Sequence, residues 1–189
     1  IKEIISYKGK INFNPFDLFL DINFKKIKFK EIFNTNSILF ELIKSGNLFN
    51  ENLSANININ SNEILGNKLF HNLKLFININ NGVLDINNSL LINKKIGSLK
   101  LINSRLFLLD NNLIFDGVFN LKIDNKANFY KYLQTNKKIR KSIDNINFSV
   151  DFNISTNEFN LNNLTIDDGK KEAKIMNSID NLNMKKIPK

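Results

Sequence analysis

Apolar residues in this chain recur at every second position, segment after segment. That period places one side-chain set on one face of an extended backbone and the other set opposite. It begins with Ile5, Tyr7, Gly9, Ile11 and Phe13, breaks at Asn14-Pro15, and restarts on even numbers with Phe16, Leu18, Leu20, Ile22 and Phe24. Proline at that break lacks a ladder donor and suits a turn or strand edge. Leu53, Ala55, Ile57 and Ile59 follow, then Leu73, Leu75, Ile77 and Ile79, then Leu84 and Ile86. The clearest stretch spans 97–154, in which Leu99, Leu101, Leu106 and Leu108 lead into Asp110-Asn111-Asn112. Leu113, Phe115, Gly117, Phe119, Leu121 and Ile123 leave that turn in strict alternation. Ile146, Phe148, Val150, Phe152 and Ile154 resume it, and Phe159, Leu161, Leu164 and Ile166 close it with a one-residue slip near Asn162-Asn163.

The connections read as hairpins. Asn80-Asn81-Gly82 and Asp167-Asp168-Gly169 supply residues that tolerate positive φ, and the latter predicts a return strand through Ala173 and Ile175. Helical spacing replaces alternation in two places. Ser37 is a candidate cap for a short helix carrying Leu39, Leu42 and Ile43 and ending at Gly46. A second helix is expected from about Lys126 to Lys141, with Phe129, Tyr130 and Leu133 on one face. Ile179, Leu182 and Met184 suggest a final short helix. About ten strands joined mainly by hairpins predict a mainly β fold, an antiparallel sheet with two or three short helices. Strand spacing is too irregular for a strict solenoid repeat.

The 189 residues suffice for one domain with a sizeable core, and the ends of the sequence lead us to expect a segment of a longer protein. Asn, Ile, Lys, Leu and Phe dominate, residues that share AT-rich codons. The formal charge of +9 could attract nucleic acid or an anionic membrane. Only two of the basic residues are Arg, the side chain whose fork recognises bases and phosphates. The basic clusters are scattered and lack flanking aromatics, so nucleic acid is not the expected partner. No apolar run approaches the roughly 18 residues of a membrane-spanning helix.

Reactive chemistry is sparse. There is no cysteine and a single histidine, His71, so thiolate sites, disulfides and paired-histidine zinc sites are excluded. Asp167-Asp168-Gly169 lacks the spaced acidic ligands of a calcium loop. Asp21, Asp85, Asp110 and Asp151 form no assignable carboxylate pair, and no phosphate loop or nucleophile elbow is present. The expectation is a non-enzymatic protein without cofactors.

Several stretches resemble the AsmA-like family of bacterial envelope proteins. They are Gly97-Ser98-Leu99-Lys100-Leu101, Leu113-Ile114-Phe115-Asp116-Gly117-Val118-Phe119-Asn120-Leu121, the helix that follows, and Phe148-Ser149-Val150-Asp151-Phe152-Asn153-Ile154. The closing strand Phe159-Asn160-Leu161-Asn162-Asn163-Leu164-Thr165-Ile166-Asp167 also fits. The resemblance covers roughly two-thirds of the chain and rests on alternation with preferred turns. It implies an elongated, twisted, partly open β-sheet, a groove or half-barrel, in the periplasm of a Gram-negative bacterium. An inner-membrane anchor in the full-length protein, phospholipid transport between membranes and a role in outer-membrane integrity are further implications.

An incompletely closed sheet lined by Ile, Leu and Phe can shelter acyl chains. Each methylene taken from water contributes about 0.8 kcal/mol, so no polar chemistry is needed. The candidate lining is Leu73, Leu75, Ile77, Ile79, Leu113, Phe115, Phe119, Leu121, Ile123, Phe148, Val150, Phe152 and Ile154. Lys137, Lys138, Arg140 and Lys141 are candidates for headgroup or membrane contact, or else cations stabilising a helix C-terminus. An ordinary sandwich core is the competing reading of the apolar face. A structural or adhesive β-module that binds a protein or an anionic polymer is the competing function.

Overall fold

A computed structural model describes residues 3–28, 41–43 and 45–167. Eleven strands among them join one mixed sheet that is partly closed without forming a barrel. They are β1 (Glu3–Phe13), β2 (Phe16–Lys28), β3 (Leu53–Ser61), β4 (Ile64–Leu65), β5 (Asn72–Asn80), β6 (Val83–Asp85), β7 (Leu90–Asn93), β8 (Gly97–Leu109), β9 (Asn112–Ile123), β10 (Asn145–Asn153) and β11 (Glu158–Ile166). The order across the sheet is β1-β2-β3-β5-β6-β8-β9-β10-β11, with β7 continuing β6 between β5 and β8. The pairing is antiparallel apart from β2, which runs parallel to both β3 and β4. A parallel neighbour requires a crossover, and the chain between β2 and β3 makes it. The expected helix at Ser37 lies in this crossover. Leu42 and Ile43 are helical, while Ser37 and Leu39 fall outside the described residues.

Turn chemistry sets the hairpins. Asn81 and Gly82 have φ of 49° and 72°, and Asp110 and Asn111 have 49° and 61°, the positive values that primed turns require. Gly46, at φ 77°, leads out of the short helical turn into the 3-10 turn Asn47–Phe49. The proposed return through Ala173 and Ile175 and the helix near Ile179, Leu182 and Met184 lie outside the described residues.

The alternation survives three phase slips, each of which is a bulge or break in the sheet. Leu84 and Ile86 share a face with Leu91 because the chain is irregular around Asn88, whose φ is 63°. Leu99 and Leu101 share it with Leu106 because the ladder shifts between Ile102 and Arg105, around Asn103 at φ 49°. Leu161 shares it with Leu164 because Ser149 pairs with Asn163 while Val150 pairs with Leu161, leaving Asn162 over. A bulge adds one residue and restores the inward face at the next one.

One face is therefore apolar from edge to edge. The main core joins Phe24, Ala55, Ile57, Ile59, Leu73, Leu75, Ile77, Ile79 and Leu84, with Leu48 from the 3-10 turn packed on it. The opposite face carries polar cross-strand rows such as Asn56–Asn78–Asp85–Arg105–Asp116–Asp151, interspersed with Phe19, Phe76, Ile102, Phe107, Ile114 and Val118. Arg105 donates from Nε and Nη2 to Asp116 Oδ2 at 3.2 and 3.1 Å. The Asn78 amide donates to Asn56 Oδ1 at 2.6 Å.

The basic helix is shorter than its sequence suggests. Helix α1 (Lys126–Tyr132) starts at Asn125, whose side chain accepts the Asn128 N–H at 3.0 Å. It ends before Gln134, which has φ 53°. Asn136 then caps a separate 3-10 turn, Lys137–Ile139. Phe129 and Tyr130 are buried against Ile96 and Ile123, whereas Leu133 is 52% exposed. Two anchoring aromatics hold about two turns of helix, and the Thr135 and Asn136 side chains that follow favour turns over further helix. The four cations beyond Asn136 thus lie outside α1 and do not sit at its C-terminus.

Candidate functional site

The apolar face borders a partly open cavity of about 330 Å³. Its walls come from β5, β6, β7, β8 and β9, and from Phe152 of β10 with Ile154 just past it. β5 and β10 lie four strand spacings apart, which is roughly 19 Å in a flat sheet at about 4.8 Å per step. Side chains from both reach the same cavity because the sheet curls. Ile43, from the helical turn in the crossover, closes one part of the wall. Ser89 is the one polar side chain among the described lining residues, and its hydroxyl is spent on the β5 backbone. Ser89 Oγ accepts the Phe76 N–H at 3.0 Å and donates to the Phe76 carbonyl at 3.2 Å.

Of the expected lining residues, Leu73, Leu75, Ile77, Leu113, Phe115, Phe119, Phe152 and Ile154 border the cavity. Five others lie on the same face without bordering it. Ile79 is in the main core, and Ile123 belongs with Leu121 to the cluster under α1. Val150 is buried opposite Gly117. Phe148 stacks on Phe119 with ring centroids 4.9 Å apart and planes at 11°, supporting that wall from behind. The register explains the sorting, because residues beyond Phe119 toward Ile123 pass under α1 and are covered by it.

Sequence reasoning assigned no lining role to Leu84, Ile86, Leu91, Leu99, Leu101 and Leu106. All but Leu91 carried the alternation signal, but the slips at Asn88 and Asn103 hid their common face. Ile43 and Leu90 also border the cavity; Ile43 could not be placed there without the path of the crossover, nor Leu90 without the irregular chain around Asn88 that precedes β7.

The basic segment divides. Lys137 and Lys138 are exposed on the 3-10 turn, next to Ile139, which is 70% exposed. Arg140 turns back on the protein. Its Nε and Nη2 donate to the Thr135 carbonyl at 3.1 and 2.9 Å, and its guanidinium lies 5.7 Å from the Tyr130 ring centroid. The Tyr130 hydroxyl in turn donates to the Lys141 carbonyl at 2.5 Å and accepts the Lys141 N–H at 3.1 Å. This network fixes the loop that presents the two lysines.

The titratable groups sit away from the cavity. Asp85, Asp116 and Asp151 belong to the polar face. His71 lies in the connection between β4 and β5, with its carbonyl accepting the Ile64 N–H at 2.7 Å. Among the described residues no three His, Asp or Glu side chains gather as a metal site, and no helix is long and apolar enough to cross a membrane. Among the described residues, Asp167 has its carboxyl held below the usual carboxylate range. The backbone N–H groups of Asn145 and Asp144 donate to it, each at 2.8 Å, and Lys126 adds a smaller favourable charge. Comparison with family models, with curated proteins and with solved structures finds no match.

Proposed function

We propose that this chain is a non-enzymatic, AsmA-like segment of a bacterial envelope protein that shelters phospholipid acyl chains within its curled sheet. The observation that carries this reading is the apolar cavity of about 330 Å³. Its volume falls within the roughly 300–1,000 Å³ of small-molecule sites. Its lining offers hydrocarbon almost throughout and no free polar group to orient a reacting centre. Phospholipid is the partner this chemistry suits, because acyl chains gain from burial alone.

Membrane contact through the loop after α1 belongs to the same reading. Leu133 and Ile139 are exposed apolar residues on that loop, beside Lys137 and Lys138, and Tyr132, exposed at the end of α1, adjoins them. Basic and apolar residues together suit an anionic lipid surface, where each lysine contributes about 1 kcal/mol. In this reading the full-length protein is anchored to the inner membrane, lies in the periplasm, and moves phospholipid in support of the outer membrane.

The test is mass spectrometry of the protein released from a native extract. Co-purified phospholipid is the expected result, and a protein that carries none and takes none from vesicles would end the proposal. A second reading, a structural or adhesive β-module, draws support from β1. That strand is an exposed edge on which Tyr7 and Phe13 are 78% and 81% accessible, and such an edge can add a partner strand. It predicts a lipid-free protein.

A further inference from the structure

The dimensions of the cavity bear on how much of a lipid it can take, which rests on the acyl-chain reading above. A cavity of about 150 Å³ lined by Leu, Ile and Phe holds one benzene, six carbons. In that proportion, 330 Å³ holds about 13 carbons. The shape agrees with a single file. The lining runs along β9 from Leu113 to Phe119, six residues or roughly 20 Å of strand, so the volume is spread along a narrow path. Side by side on one wall, Leu101 of β8 and Phe119 of β9 are direct cross-strand partners. Phe119 is backed by Phe148, its ring-stacked partner on β10. A second chain beside the first would have to displace this supported wall.

We infer that the cavity accepts one acyl chain of about 13 carbons, so that its ligand is a single-chain amphiphile or a diacyl lipid inserting one chain only. Methylenes beyond that length stay outside, and a second chain adds nothing to binding. The described lining has no charged side chain to select a headgroup, so fatty acid and lysophospholipid differ there only through groups at the cavity mouth.

The experiment measures displacement of a fluorescent fatty acid by lysophosphatidylcholines and by saturated fatty acids of increasing chain length, each below its micelle concentration. Affinity is expected to rise about fourfold per added methylene and to level off near 13 carbons. A phosphatidylcholine with two chains of a given length should bind no tighter than the lysophosphatidylcholine with one. Leu101→Trp should move the plateau to shorter chains. Ile102→Trp, on the neighbouring position of the same strand and absent from the lining, should leave it in place and serve as the folded control. Continued gain well past the expected length, or a clear gain from the second chain, would overturn the single-chain inference while leaving acyl-chain binding intact. Failure of every amphiphile to displace the probe would remove both.

Discussion

Ser104 of β8 occupies the space that a side chain at Gly117 of β9 would need. Ser104 is fully buried at the bulge, and a β-carbon on Gly117 would lie 2.8 Å from Ser104 Cβ and 2.8 Å from Phe115 Cζ. Ser104 is fixed there by its backbone. Its N–H donates to Asn87 Oδ1 at 2.5 Å, and its carbonyl accepts the Ile86 N–H at 2.9 Å. The irregular stretch after β6 and the bulge in β8 thus support each other, and Gly117 is the gap in β9 that admits them.

Gly117→Ala should therefore destabilise the fold by about 1–3 kcal/mol through overpacking. Ser104→Gly in the same molecule should recover much of that loss. Urea denaturation of both single variants and the double variant measures the coupling, and strictly additive losses would contradict the contact.

At the β8–β9 hairpin, Asp110 holds a φ of 49°. Asp110→Ala is expected to cost about 1–2 kcal/mol, because a β-carbon without a local hydrogen-bonding group disfavours the left-handed region. Asp110→Gly should be tolerated much better. A thermal melt of the two variants side by side distinguishes them.

Core and cavity should separate by mutation. Ile79 is 1% exposed and lies outside the cavity, so Ile79→Ala should cost about 2–5 kcal/mol and leave lipid retention unchanged in the folded fraction. Ile154 borders the cavity just past the end of β10. Ile154→Glu should keep the fold while reducing bound lipid about tenfold, since an unpaired carboxylate disfavours an apolar site. Lipid counts from native mass spectra, alongside urea curves, test both.

Protonation of Asp167 should loosen the junction between β10 and β11. Its carboxyl is held below its ordinary value of 3.8, chiefly by the Asn145 and then the Asp144 backbone donors. The charged form therefore favours the folded state at pH above 3.8, and this contribution disappears as pH falls through the lower folded value. Asp167→Asn should reduce stability at neutral pH and flatten the dependence below pH 4, read by denaturation at a series of pH values.

Reversing the exposed cations tests the loop after α1. Lys137→Glu with Lys138→Glu should weaken sedimentation with phosphatidylserine vesicles by more than the roughly 2 kcal/mol that two lysines contribute at low salt, with no change on neutral vesicles. Unaltered binding to anionic vesicles would show that this loop is not the contact. Arg140→Ala should act differently, because it removes the contacts to Thr135 and Tyr130 and so loosens the loop itself.

Alternation and turn residues were enough to establish a mainly β chain with hairpins at Asn81-Gly82 and Asp110-Asn111, and the slip at Asn162-Asn163 was visible as a change of parity. These are local matters, since a strand's period and a turn's positive φ depend on residues within a few positions. Eight of the thirteen expected lining residues could be found for the same reason. The rest depended on long-range placement. The parallel pairing of β2 with β3 followed from a crossover, the slip at Asn103 from Ser104 packing over Gly117, and the early end of α1 from having only Phe129 and Tyr130 to bury. Whether the apolar face became a filled core or a cavity was also beyond the sequence. A strand states which side chains share a face, while the curl that brings β5 and β10 around one space is a property of the assembled sheet.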